Sequence, residues 1–137
     1  MEPTQPTPHP RTFGKAERLC RQLLIDRLFA GGSKSLVSFP LRLVYLPVEE
    51  ADVRVPVSIL VSVPKKRFRR AVKRNRVKRQ VREAYRRNKH ILLDTVTRRQ
   101  LHLVMGFIWL GNELCSTEEV ERRVVNLLQR LSERLDA

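Results

Sequence analysis

The sequence predicts an α+β fold in which one small mixed sheet is packed with about three helices. Three observations carry that expectation. Two runs, residues 57–63 and 101–110, set apolar residues at alternate positions, as half-buried strands do. The basic stretch between them bears an apolar stripe at helical spacing, and a second such stripe closes the chain. The length, 137 residues of which 42% are hydrophobic, suits one compact domain with its own core and is short for two.

Taken in order, residues 1–12 hold Pro3, Pro6, Pro8 and Pro10 and read as a flexible Pro/Thr-rich tail, leaving 13–137 as a single domain. Residues 15–30 form the first helix, stopped by Gly31-Gly32. Residues 36–47 read as a strand with Pro40 at its start or on an edge. The acidic stretch at 49–52 makes a turn. In 57–63 the side chains of Val57, Ile59, Val61 and Val63 share one face, and Pro64 ends the strand. Residues 71–97 are helical. The strand at 101–110 places Leu101, Leu103, Met105, Phe107 and Trp109 on one face, and Gly111-Asn112 turns the chain. Ser116 stands three residues before Glu119, a capping-box spacing that opens the last helix. Val120, Val124, Leu127, Leu128, Leu131 and Leu135 line that helix's buried stripe.

Composition narrows the function. The longest apolar stretch, 101–110, is too short to span a bilayer, and no secretory signal pattern opens the chain, so a cytoplasmic place is expected. Cys20 and Cys115 lack metal-ligand spacing and read as half-buried thiols, with a disulfide left open. His9, His90 and His102 are scattered, and no zinc pattern can be assembled from them. The carboxylates are dispersed too, so neither a metal-dependent nuclease centre nor an acid/base pair is visible, and no catalytic residue is assigned.

Charge is the strongest signal. Of a net +14, +13 lies between Lys65 and Lys89, where fourteen basic residues face the single acid Glu83. Such crowding destabilises a fold through self-repulsion unless a polyanion neutralises it. On a helical wheel Val77, Val81, Ala84, Tyr85 and Asn88 form one stripe. Asn75, Arg79, Arg82 and Arg86 fall opposite, flanked by Lys78 and Lys89. A solvated helix would alternate sign to gain i,i+4 pairs. A membrane-surface helix would need bulkier apolar residues than Val77, Val81 and Ala84. Arginine forks gripping phosphates fit the pattern best, which makes nucleic acid the expected partner.

The run Val63-Pro64-Lys65-Lys66, followed by Ala71-Val72-Lys73-Arg74-Asn75-Arg76-Val77-Lys78-Arg79 and Val81-Arg82-Glu83-Ala84-Tyr85-Arg86, resembles the signature of the bacterial ribonuclease P protein family. More weakly, the resemblance extends from Thr12-Phe13-Gly14-Lys15 to the last helix. It implies a ribosomal-protein-like sandwich with a left-handed βαβ crossover. It also implies a subunit that helps a catalytic RNA remove the 5′ leader from precursor tRNA, with magnesium held mainly by the RNA. By motif match Lys65, Lys66, Arg74, Asn75, Arg76, Lys78, Arg79, Arg82 and Arg86 would bind ribonuclease P RNA. The family holds the leader in a cleft between the first helix and the sheet, which nominates Phe13, Arg18, Arg21, Ile25, Phe29 and Tyr45. For Ile25, Phe29, Tyr45 and Phe13 ordinary packing stays open beside leader contact. Ile25 also departs from the aromatic residue frequent at its position. Two other classes remain: a non-catalytic ribosome-associated RNA binder, and a DNA-binding regulator, which would want a short helix and turn before residue 71.

Overall fold

The computed structural model describes Glu17 and residues 22–49 and 55–137. Its elements run α1 (Gln22–Phe29), β1 (Lys34–Ser38), β2 (Leu41–Pro47), β3 (Val57–Ser62), α2 (Ala71–Asn88), α3 (His90–Arg98), β4 (Leu103–Trp109) and α4 (Thr117–Asp136). The four strands make one mixed sheet in the order β1-β2-β4-β3. The β1–β2 and β2–β4 pairs are antiparallel, while β3 and β4, joined through α2 and α3, are parallel.

Strand alternation divides the molecule into two layers of core. Leu41, Leu43 and Tyr45 of β2, Val57, Ile59 and Val61 of β3, and Leu103, Met105, Phe107 and Trp109 of β4 face α2, α3 and α4 and form the main core. The intervening residues face the other way, where α1 covers part of the sheet through Leu24 and Leu28 on Val44 and Val104. The α2 stripe expected from the wheel is buried at Val77, Val81, Ala84 and Tyr85, and α4 buries Val120, Val124, Leu127, Leu128 and Leu131. The α+β sandwich is therefore the observed fold, with four helices among the described residues in place of about three.

Two expectations change. Residues 36–47 are a hairpin with its turn at Phe39-Pro40, not one strand; Pro40 is buried and its carbonyl accepts from Leu110 N–H at 2.7 Å. The basic helix also ends at Asn88, and a separate helix starts after Lys89. Asn88 donates its side-chain amide to the Ala84 carbonyl at 2.8 Å, competing with the helical ladder. Lys89 then offers its own carbonyl to Leu92 and Leu93, at 3.0 and 2.9 Å. The break has a packing cause. A continuous helix would swing Leu93 roughly 160° from Val77, away from the core; re-phased, Leu92, Leu93 and Val96 are all buried.

The N-cap of α4 forms as the spacing predicts, Ser116 Oγ accepting from Glu119 N–H at 3.1 Å, while the Glu119 carboxylate pairs with Arg122 and Arg123. Ser116→Ala should lower stability by about 1 kcal/mol, read as a lower urea midpoint with an unchanged slope.

Candidate RNA interface

The first surface is the outward face of α2 and the loop before it. Burial of Val77, Gln80, Val81, Ala84 and Tyr85 forces the residues across the wheel into solvent. Lys65, Lys66, Arg69, Arg70, Lys73, Asn75, Arg76 and Arg79 are exposed, and Lys78 and Arg82 are half-buried. The loop is held in shape by Arg67, which donates to the Asn112 side-chain oxygen at 3.3 Å, and by a turn from Arg67 N–H to the Pro64 carbonyl at 3.0 Å. Gln80 braces the inner side of α2, donating to the Cys115 carbonyl at 3.1 Å and to Thr117 Oγ1 at 3.3 Å.

Not every basic residue of the run joins this surface. Arg74 turns inward and donates to the carbonyls of Phe68 and Arg69 at 2.8 and 2.7 Å, stapling the loop to the helix start. Its wheel position, about 60° from Val77, already lay beside the buried stripe. Arg86 is paired with Glu83, whose carboxyl it holds below the usual carboxylate range by direct hydrogen bonding. Lys89, placed beside the cationic face by the wheel, is instead 4% exposed, its ammonium 2.9 and 2.8 Å from the two oxygens of Glu17.

The second surface is the sheet face on which α1 sits. The strand registers lay its side chains in rows: Leu46, Val104 and Ser58; then Val44, Gly106 and Leu60; then Arg42, Ile108 and Ser62. The helix occupies the first two rows over β2 and β4. A Cβ on Gly106 would lie 3.2 Å from Leu28 Cδ2 and 3.6 Å from Phe29 Cζ, so the glycine lets α1 approach and seats the edge of the Phe29 ring. Phe29 remains 48% exposed. Beside it, Leu60, Ile108 and Ser62 are half-buried, and Arg42 and Val37 are exposed. An apolar groove with a guanidinium on its wall results, suited to stacking or covering bases while the charge holds phosphate.

Of the expected leader contacts, Phe29 lines this groove and Ile25 packs partly buried against the small core beneath α1. Tyr45 does not reach it. The odd-numbered residues of β2 face the main core, so Tyr45 is 2% exposed on the opposite side of the sheet, its hydroxyl 3.3 Å from Arg134 Nη1. Phe13, Arg18, Arg21 and Cys20 lie outside the described residues, as does the 1–12 tail. Sequence reading missed Arg42, Val37, Leu60, Ile108 and Ser62. The alternation of β3 and β4 could have named Leu60, Ser62 and Ile108 as residues facing away from the main core.

The two surfaces adjoin. Ser62 ends the last row of the groove, and Val63-Pro64-Lys65-Lys66 follows it directly into the basic loop. Several of the described carboxylates are engaged with basic side chains: Glu119 with Arg122 and Arg123, Asp136 with Arg98 and Arg99, Glu121 with Arg87. Among the described residues no cluster of His, Cys, Asp and Glu is arranged to hold a metal ion, and no helix is long and apolar enough to cross a membrane.

Comparison with known proteins places the chain in a family. The family model described as Ribonuclease P matches residues 13–132. The ribonuclease P protein component of Porphyromonas gingivalis is 49% identical over 125 residues, covering 90% of each chain. The Staphylococcus aureus RNase P protein superposes with a TM-score of 0.67 at 19% identity, covering 85% of this chain and 96% of that one. The RNase P protein of Thermotoga maritima superposes at 0.63 with 24% identity, covering 83% and 96%; at these identities the two structures speak to the fold. With a family model over nearly the whole described chain and a half-identical relative of equal length, the chain belongs to the ribonuclease P protein family.

Proposed function

We propose that this chain is the protein subunit of a bacterial ribonuclease P. It assists a catalytic RNA in the endonucleolytic removal of the 5′ leader from precursor tRNA, and it works in the cytoplasm. The observation that carries this reading is the adjacency of two different RNA-binding chemistries. The face of α2 is all fork and charge, suited to the phosphates of a folded RNA. The α1 groove is apolar with one basic wall, suited to an unpaired strand. A subunit that seats the catalytic RNA on the first and the leader on the second would offset the repulsion between two RNAs and align the leader for cleavage.

Magnesium belongs, in this reading, to the RNA. Asp136 and Glu119 are paired with arginines, and no cluster of His, Cys, Asp and Glu among the described residues offers a hard divalent ion its oxygen ligands. Hydrolysis is assigned to the RNA, and the protein alone should be inactive.

Reconstitution tests the proposal. Labelled precursor tRNA is incubated with ribonuclease P RNA of the same source at low, near-cellular magnesium, with and without the chain. Accurate leader removal that depends on the chain is the expected result. No stimulation by folded protein, with an RNA that is active at high magnesium, would favour a ribosome-associated RNA binder instead.

A further inference from the structure

We infer that the buried Glu17–Lys89 ion pair is a positioning clamp that fixes helix α1, and with it the leader groove, relative to the cationic helix α2. The inference rests on the functional reading above and names a pair that acts through α1, not by touching RNA.

Lys89 closes the densest basic run of the chain, yet its side chain is withdrawn from solvent and spent on a carboxylate 72 positions away in sequence. Side-chain exposure is 5% for Lys89 and 16% for Glu17, and both carboxylate oxygens lie within 2.9 Å of the ammonium. The pair sits at the hinge between α2 and α3, where Lys89 ends one helix and caps the next. Tyr85, fully buried one turn earlier, is close enough for the Glu17 charge to add to the effect of burial in raising its hydroxyl above the usual range.

Such a pair is a poor source of stability, because desolvation of both charges offsets their attraction; its best-attested use is to specify one arrangement over others. The buried seat of α1 offers little such specification. Its eight residues bury Leu24 and Leu28, and their contacts with Val44 and Val104 are apolar and non-directional. Contacts of that kind fix the depth of a helix better than its direction. Glu17 lies five residues before Gln22, a tether of at most about 18 Å, so anchoring its carboxylate limits where α1 can begin. The groove depends on that placement, since Phe29 reaches it from the last position of α1 while its other walls belong to the sheet. The clamp therefore ties the leader surface to the end of the helix that carries the catalytic-RNA surface.

The test uses the full chain assembled with ribonuclease P RNA. Two affinities are read for each variant: that of the chain for ribonuclease P RNA, and the holoenzyme's preference for precursor over mature tRNA. Glu17→Gln and Lys89→Met should each narrow the precursor preference by roughly three- to tenfold while moving RNA-subunit affinity less than about twofold. The double variant should be no worse than either single one, because the two residues act as one unit. The exchange of charges, Glu17→Lys with Lys89→Glu, should recover part of the preference. An unchanged preference in the single variants, or additive losses, would overturn the clamp. An equal loss of RNA-subunit affinity would do the same and return Lys89 to the ordinary cationic face. If Lys89→Met melts below the assay temperature by circular dichroism, the near-isosteric Glu17→Gln decides. A wild-type holoenzyme with no preference for precursor would refute the leader reading itself, and is visible before any variant is made.

Discussion

Reversing charge at Arg76 and Arg79 together, each to Glu, should weaken binding of ribonuclease P RNA by a hundredfold or more and leave the fold intact. Both side chains are exposed on the outer face of α2, and neither has an acid partner among the described residues. A charge-assisted contact to phosphate contributes about 1.5–3 kcal/mol, so two lost contacts already amount to roughly a hundredfold, and the new carboxylates add repulsion. Salt dependence is the sharper readout. With about six phosphates neutralised, log affinity against log salt should run at roughly −4 to −5, and the double variant should flatten it by about 1.5 to 2. Thermal stability should hold or rise, because the substitutions relieve a crowded patch of one sign. Arg74→Ala should behave differently: its guanidinium staples the carbonyls of Phe68 and Arg69, so its loss loosens the loop as well as the RNA. An unchanged salt slope for the Arg76/Arg79 variant would remove α2 from the interface.

The contrast between Arg79 and Arg74 shows how far the sequence could be read. Helical periodicity is local, and the buried stripe of α2 follows it residue by residue at Val77, Val81, Ala84 and Tyr85. The wheel placed Arg79 outward, while Arg74 was grouped with it by motif; extended to Arg74 the same wheel puts it about 60° from Val77, so its inward turn could have been read from the sequence. Lys89 was not legible. Its burial depends on a helix break and on Glu17, and a contact across 72 positions leaves no mark in periodicity.

The groove was harder to read for a related reason. A strand shows which residues share a face, and only its neighbours decide which face meets the core. Within 36–47 the hairpin turn at Phe39-Pro40 sets the register that sends Leu41, Leu43 and Tyr45 to the main core. Aromatic character made Tyr45 a natural nucleotide contact, and strand parity buried it. That parity puts Arg42 on the groove side, where its guanidinium lies 3.4 Å from Ser35 Oγ. A helical wheel drawn on the first helix does better, because at about 100° per residue Ile25 and Phe29 fall apart from Leu24 and Leu28. The structure divides that pair again, with Phe29 half-exposed at the groove and Ile25 against the small core.

Gly106→Val should uncouple the two RNA surfaces more cleanly than any change at the rim. A Cβ at Gly106 would stand 3.2 Å from both Leu28 Cδ2 and Val44 Cγ2, close enough that one of them must give by a few tenths of an ångström. Alanine asks only for such a shift of methyl groups and should be nearly silent. Valine adds two further carbons to a filled space, and overpacking of that kind costs about 1–3 kcal/mol. The strain has one soft outlet. Strand β4 is hydrogen-bonded on both sides, to β2 and to β3, whereas α1 rests on the side chains of Leu24 and Leu28. The helix should therefore lift from the sheet and carry Phe29 away from its seat on Gly106. Precursor tRNA affinity should fall roughly tenfold, since small displacements of positioning elements are costly in binding and catalysis. Affinity for ribonuclease P RNA should hold, because α2 packs on the opposite face of the sheet. Equal loss for precursor and mature tRNA would show that the groove does not read the leader. Loss of RNA-subunit affinity with a collapsed melting temperature would show that α1 and the main core are one unit, and that the sheet transmits strain between its two faces.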